Sequence, residues 1–447
     1  MMALLGLKRR ANDFTTNDRK RNCNRVNEPQ DIEREGMVGE ITFEILKLPF
    51  EIICNILSRL PLKTIICCRS VCKKFLKMLK DPYFANVHLA RAPSTTASLI
   101  LQSYGGNKGF YFYTIDLDET SHAISDSTGP YKFPSPCRSH HELTKQNAEF
   151  CFQSRHVTFV GSCNGLLCLY SSLPKPFYYV CNPILGESVV LPPPTPLAPD
   201  STYYLSGFGF CPKTKQYKVV RFLCSVSVNH VTNSVSKEMA AEIYTLGSDS
   251  WRRIGKAPCP KRGGSFDPFI NGSLHWIIET AKTSEQICSF DLNTEQFRTL
   301  PSPPHFNANY IKKVSWINIG TLGGHFCLCY IYDDACLEVW VMKDYGVKES
   351  WSREFSIDIK FYCGLKVENL RQPVKFLNNG DMWLMCSSNS LASYNPRKGT
   401  FRDFKALAKW KSEVIALVPS FVSLKDAMSS KNLRVESLSR RIPKIYC

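Results

Sequence analysis

No run of about 18 apolar residues occurs anywhere in this chain of 447, so no membrane-spanning helix is expected. Near the start, Ala3, Leu4, Leu5 and Leu7 precede Lys8-Arg9-Arg10. That is the reverse of the basic-then-apolar order of a secretory signal, and the patch is short. An intracellular location, nucleus or cytoplasm, is expected. Paired-cysteine spacing is also missing. The 20 cysteines include Cys67-Cys68 and Cys327/Cys329 but no Cys-x-x-Cys. Zinc sites need such paired ligands at short spacing, so no metal site is expected. Reduced cysteines in apolar runs pack as small hydrophobes. Acidic residues are scarce: 39 Asp and Glu face 56 Lys and Arg, a net charge of +17. A basic surface can serve nucleic acid, an anionic membrane or an acidic protein. Zinc-finger ligands, RNP-like aromatics and a basic region with heptads are all absent, which leaves nucleic acid the weakest option.

Signatures of catalysis are equally sparse. There is no Gly-x-Ser-x-Gly. Gly207-Phe208-Gly209-Phe210 is followed by Cys211-Pro212, and Pro212 would break the helix that a dinucleotide fingerprint must open. It reads instead as a strand. Gly320-Thr321-Leu322-Gly323-Gly324-His325 lacks the Gly-Lys-Ser/Thr of a phosphate loop. His140-His141-Glu142 lies in a polar loop without converging partners. Asp333-Asp334 is read as strand, where neighbours point to opposite faces. Trp251, Trp276 and Trp340 read as core. No catalytic residue and no cofactor is nominated.

What is present divides the chain. Residues 1–43 are polar and aperiodic, and read as a disordered tail. Lys8-Arg9-Arg10 and Arg19-Lys20-Arg21 within it have the form of a bipartite nuclear-import signal. Residues 44–91 turn helical: Ile52, Ile53, Ile56, Leu57 and Leu60 line one helix face. Pro49 suits a first turn. Pro61 separates a second helix, Leu62 to Ser70, and a third runs from Val71 to Leu79 until Asp81-Pro82 stops it. Residues 47–91 carry nine Lys/Arg against two acids. Three short helices make a poor independent core, and the apolar face is wider than they need, which points to a partner.

From residue 95 to 425, glycine and proline punctuate short runs of Val, Ile, Phe, Tyr and Trp, an all-β pattern. One unit recurs: an apolar pair followed by a turn opened by Asn or Asp. It appears at Cys181-Asn182, Phe290-Asp291 and Tyr394-Asn395, with weaker copies at Ile115, Tyr244 and Trp340. Spacings near 50 residues are those of propeller blades. The expectation is a kelch-like propeller of about six blades, its ring closed by a strand within Val414 to Leu424. Two packed sheets are the rival architecture. Insertions are read at 121–149 and 191–204, and a basic flexible tail at 426–447.

Two resemblances follow. Leu48-Pro49-x-Glu51-Ile52-Ile53-x-x-Ile56-Leu57-Ser58-Arg59-Leu60-Pro61-x-Lys63, then Arg69-Ser70-Val71-Cys72-Lys73 and Asp81-Pro82-Tyr83-Phe84, with His88-Leu89, resembles the F-box. The family usually has Trp where this chain has Phe75. The remainder is similar to the F-box-associated domain of plant F-box/kelch-type proteins. Its matching residues include Gly161-Ser162-Cys163-Asn164-Gly165-Leu166-Leu167-Cys168, Gly207-Phe208-Gly209-Phe210, Ser250-Trp251-Arg252 and Asn271-Gly272-x-Leu274-His275-Trp276.

The resemblance implies a non-catalytic substrate-recognition subunit of a Skp–cullin–F-box ubiquitin ligase. Leu48, Pro49, Ile52, Ile56, Leu57, Leu60, Pro61, Val71 and Phe75 would contact a Skp-family adaptor, and through it a cullin and a RING subunit. The β domain would hold a protein substrate of unknown identity. A ligand- or glycan-gated adaptor, or a propeller enzyme fused to an F-box, are the alternatives.

Overall fold

The computed structural model describes residues 45–91, 98–104, 110–115, 131–134, 157–171, 176–195, 201–229, 234–259, 269–278, 287–322, 324–358, 370–376, 381–386, 391–404, 414–428 and 433–437. The 1–43 tail with its basic clusters, and His140-His141-Glu142, lie outside these residues. The chain divides into two compact units, one holding residues 45–91 and the other all the strands.

Among the described residues, the first unit has a helical turn at 45–47 followed by four helices: α1 Phe50–Leu57, α2 Leu62–Cys68, α3 Lys73–Met78 and α4 Pro82–Arg91. Pro49 and Pro61 stand immediately before α1 and α2, where a missing N–H costs nothing. Cys72 caps α3, its Sγ accepting from the Phe75 amide at 3.4 Å. The expectation of three helices is corrected at Asp81-Pro82, which starts a helix rather than ending the unit. The Asp81 carboxylate accepts from the Tyr83 amide at 2.9 Å, an N-cap contact, and Pro82 takes the first helical position. Ile53, Leu57, Ile65, Phe75, Met78, Leu79 and Phe84 form the buried interior. Arg91, at the end of α4, donates to the Asn55 carbonyl at 2.9 Å and to Ser58 Oγ at 2.6 Å, tying the fourth helix to the first.

The second unit is all β. Its strands are β1 Ser98–Tyr104, β2 Phe110–Ile115, β3 Tyr131–Pro134, β4 Val157–Cys163, β5 Leu166–Ser171, β6 Phe177–Asn182, β7 Glu187–Val190, β8 Ser201–Cys211, β9 Gln216–Asn229, β10 Ser234–Thr245 and β11 Arg252–Lys256. They continue as β12 Phe269–Ile270, β13 Ser273–Ile277, β14 Ile287–Asp291, β15 Gln296–Leu300, then a helical turn α5 Ala308–Ile311, and β16 Val314–Leu322, β17 His325–Tyr332, β18 Cys336–Met342 and β19 Trp351–Asp358. The last are β20 Leu370–Phe376, β21 Met382–Cys386, β22 Leu391–Asn395, β23 Thr400–Phe404, β24 Val414–Leu417, the turn α6 Leu424–Ala427, and β25 Glu436–Ser437.

Five antiparallel sheets are built from consecutive strands: β4–β7, β8–β11, β12–β15, β16–β19 and β20–β23. A further sheet is composite, in the order β24-β1-β2-β3. The inner-side strands follow one another in a ring: β24 lies beside β4, β4 beside β8, β8 beside β13, β13 beside β16, β16 beside β20, and β20 beside β24. This is a β-propeller, and a two-sheet sandwich does not fit it. The expectation of about six blades is corrected to five blades of consecutive strands. The region of the Ile115 repeat belongs instead to a sheet completed from far along the chain.

Strand periodicity explains the core. In β5, Leu167 and Leu169 pack with Ile415 and Leu417 of β24, whereas Leu166, Cys168 and Tyr170 pack with Phe208, Tyr217 and Tyr244 of the next blade. Both faces of a blade are thus covered, and β5 and β6 are buried along their whole length. Similar layers fill the later gaps: Phe222 and Ile243 against Trp276 and Phe290, Ile287 against Phe326 and Leu328, and Val339 against Met382 and Tyr394. Asp333 and Asp334 form the β17–β18 turn, with φ of 53° and 51°, rather than lying on a strand. Tyr332 pairs with Cys336, so Asp333, Asp334 and Ala335 make the turn, closed by the Ala335 amide on the Tyr332 carbonyl at 3.1 Å.

The end of the chain is a strap. Ser420 Oγ donates to the Asn164 carbonyl at 2.5 Å, and Asn182 Nδ2 donates to the carbonyls of Ser420 and Val422 at 3.1 and 2.8 Å. Glu187 accepts from Ser423 Oγ and the Leu424 amide. Residues 433–437, expected in a flexible tail, pack Leu433 and Val435 on the first blade and pair β25 with β7. Their apolar side chains, not their net charge, decide this.

Candidate functional site

Helix α1 repeats apolar residues on two faces. Ile53, Cys54 and Leu57 turn inward, while Ile52 and Ile56, four apart, lie on the outside, and Leu48 is exposed just ahead of the helix. Ile52 keeps 48% of its surface exposed and Val71, between α2 and α3, keeps 47%. Pro49 and Pro61 are exposed and Leu60 is half-buried. Two expected contact residues are not on this surface: Leu57 and Phe75 are each only 5% exposed. Leu57 falls on the inward face of α1, and Phe75 begins the apolar side of α3 that continues through Met78 and Leu79. Both pack among the helices of this unit.

One exposed residue escaped the periodicity argument. Tyr83, on the first turn of α4, is 44% exposed, with its ring 5.7 Å from that of Phe50. The signal for it was Asp81-Pro82 read as a helix start, which places Tyr83 on a helix end instead of in a loop. Across all described residues, eight large apolar side chains are exposed, and five of them, Leu48, Ile52, Ile56, Val71 and Tyr83, belong to this small unit. Scattered exposed apolar residues are ordinary; such concentration on a few helices is not.

Cys54, fully buried in this unit, is a packing group. Burial first, then the nearby Asp81 and Glu51 carboxylates, push Cys54 up to about 11. No reactive thiolate is produced.

The propeller's polar side chains are engaged with each other. Lys218 donates to the Leu292 carbonyl at 2.8 Å and to Glu295 at 2.9 Å, and Arg252 pairs with the same carboxylate. Arg221 is fully buried, pairing with Glu242 directly opposite on β10 and donating to the Thr195 carbonyl. His305 meets the Tyr330 hydroxyl at 2.7 Å, and that hydroxyl donates to Glu338, which also accepts from Trp340 Nε1 at 2.9 Å. Burial lowers the His305 pKa against the pull of Glu338. Such networks fix loops onto blades, because their donors and acceptors are already matched. Trp276 is core as expected, while Trp251 and Trp340 are half-buried. No described helix is long and apolar enough to cross a membrane.

Comparison with known proteins agrees with this geometry. A family model described as the F-box domain matches residues 45–86, and one described as the F-box associated beta propeller domain matches residues 119–423. F-box protein At3g07870 of Arabidopsis thaliana is 29% identical over 419 residues, covering 86% of this chain and 93% of that protein. F-box protein CPR1 of the same plant is 28% identical, covering 69% and 73%. F-box/kelch-repeat protein At3g23880, also from Arabidopsis thaliana, is 26% identical, covering 79% and 89%. Among solved structures, a lectin of Aleuria aurantia aligns with 74% of this chain and 99% of its own at a TM-score of 0.33 and 10% identity, a likeness too distant to bear on function. With both models matched in order along it, the chain belongs to the plant F-box proteins that carry an F-box-associated β-propeller domain.

Proposed function

We propose that the chain is the substrate-recognition subunit of a Skp–cullin–F-box ubiquitin ligase. The observation that carries this reading is the outward stripe Leu48, Ile52 and Ile56, with Val71 and Tyr83 also exposed on the same small unit. A Skp-family adaptor covers these residues, with Pro49, Leu60 and Pro61 at their margins. Leu57 and Phe75 act from beneath, by fixing the helices that present the stripe. The propeller holds a protein substrate, and the chain performs no bond chemistry itself. It works by raising the effective concentration of that substrate near the ligase. The ring is of the kelch-like kind, and the complex works in the nucleus or cytoplasm.

The test is a pull-down of a purified plant Skp-family adaptor with the full chain and with its Leu48→Ala/Pro49→Ala/Ile52→Ala variant. Removing buried interface anchors costs roughly 2–4 kcal/mol each, so capture should be abolished. The far-ultraviolet spectrum should be unchanged, since none of the three is in the interior. Undiminished capture by the variant would sink the assignment.

A further inference from the structure

Helix α3 is buried on one side and basic on the other. Phe75, Met78 and Leu79 face the interior, while Lys73, Lys74, Lys77 and Lys80 are all exposed. Lys73, Lys77 and Lys80 are spaced four and three apart and share one stripe along the helix and its final turn. Lys80 stays in line because its amide continues the turn, bonding the Lys77 carbonyl at 3.2 Å. None of the three makes an ion pair within the described residues. The unit has two acidic residues among positions 47–91 to offset its nine Lys and Arg, and the Asp81 carboxylate is already used by the Tyr83 amide.

Helix stability alone does not account for this placement. Cations are favourable near a helix C-terminus, which suits Lys77 and Lys80. Lys73 and Lys74 stand in the first turn, at the positive end of the helix dipole, where a carboxylate would be favoured. Four like charges within eight residues also repel one another. The arrangement is unfavourable for the isolated unit and becomes favourable against a surface of opposite sign.

We infer that Lys73, Lys77 and Lys80 form an electrostatic guide for an acidic face of the Skp-family adaptor. This rests on the adaptor reading above and deepens it: the apolar stripe sets how long the complex lasts, and the basic stripe sets how fast it forms. Charges at the rim of an interface chiefly raise the association rate, and salt screens them. Apolar anchors chiefly govern dissociation.

The experiment measures association and dissociation rates of the full chain with a purified plant adaptor at about 25 mM and about 500 mM salt. For the unaltered chain the association rate should fall at least about tenfold at high salt. In the Lys73→Glu/Lys77→Glu/Lys80→Glu variant it should be at least about tenfold lower at low salt and nearly insensitive to salt, with dissociation changed less than about threefold. The corresponding triple Gln variant, which removes charge without reversing it, should lie between the two and guards against a folding artefact. Ile52→Ala should do the opposite, speeding dissociation while keeping the salt dependence. If the unaltered chain binds but the Glu and Gln variants associate at its rate, the guide is disproved while the adaptor reading stands. Failure of the unaltered chain to bind at either salt overturns both. If the lysines instead govern salt-dependent binding of a short RNA and leave adaptor kinetics unchanged, the guide is likewise overturned.

Discussion

Phe75 stands where F-box sequences usually carry Trp, yet its position in this chain is interior. Its loss should therefore be read as a loss of folding rather than of contact. Phe75→Ala is expected to cost about 3–5 kcal/mol, enough to unfold a unit of this size. Limited proteolysis should then cut within residues 45–91 while the β domain stays resistant. Gly165 is a second residue with no freedom. Its φ is +79°, and a Cβ there would lie 2.2 Å from Ser420 Oγ and 2.7 Å from the Ser420 amide nitrogen. Gly165→Ala should destabilise the propeller by about 2 kcal/mol or more in thermal unfolding, combining strain with the clash. Adding Ser420→Gly should recover only part of this, because the backbone nitrogen remains in the way.

At the scale of elements, adjacent blades are pinned by buried charge as well as by apolar layers. Burial alone would raise the pKa of Glu295, but hydrogen bonds and charges from Arg252 and Lys218 outweigh it and hold the carboxyl below its ordinary value. The pin thus stabilises the fold above the unfolded carboxylate range, and its contribution is lost as pH falls through the folded value. Denaturant titrations should find Glu295→Gln less stable than the unaltered chain at pH 7, with the gap closing as pH falls through the folded carboxyl's value. A constant gap across that range would show that charge is not what matters there.

The repeat visible in the sequence marks one specific element. Its anchors Ile115, Cys181, Tyr244, Phe290, Trp340 and Tyr394 fall on β2, β6, β10, β14, β18 and β22, the third strand of each sheet counted from the ring side. That strand was legible because its neighbours on both sides force an apolar run, and because three of its copies end in a side-chain turn. Asn182 accepts from the Ile184 amide, Asp291 from Asn293, and Asn395 from Lys398, at 2.8 to 2.9 Å. The elements that could not be read are short or defined by distant partners. β12 and β25 have two residues each, too few for any periodicity. The direction of each F-box side chain was also hidden, since apolar residues lie on both faces of α1 and composition does not say which face meets water.

For the whole molecule, the ring depends on residues 414–428, which hold β24 and the strap. Deleting residues 414–447 removes β24 and the strap together, leaving β1 with an unpaired edge and the first blade without Ser420 and Leu424. The expected result is loss of cooperative unfolding and aggregation in size-exclusion chromatography, since open strand edges pair with other chains. Deleting only residues 429–447 takes β25 but spares β24, and should yield a soluble, slightly less stable protein. Equal behaviour of the two truncations would mean that β24 does not close the ring.

The composite sheet also sets an order of events during synthesis. β1 leaves the ribosome roughly three hundred residues before the strand that completes its sheet, a wait on the order of tens of seconds at ordinary elongation rates. The described residues of the helical unit, 45–91, are made first and pack on one another. On the proposed function, a nascent chain would hold its docking module while its receptor was still an open arc. Premature release at that stage would, on the same proposal, produce a species able to occupy the adaptor without being able to deliver anything to it.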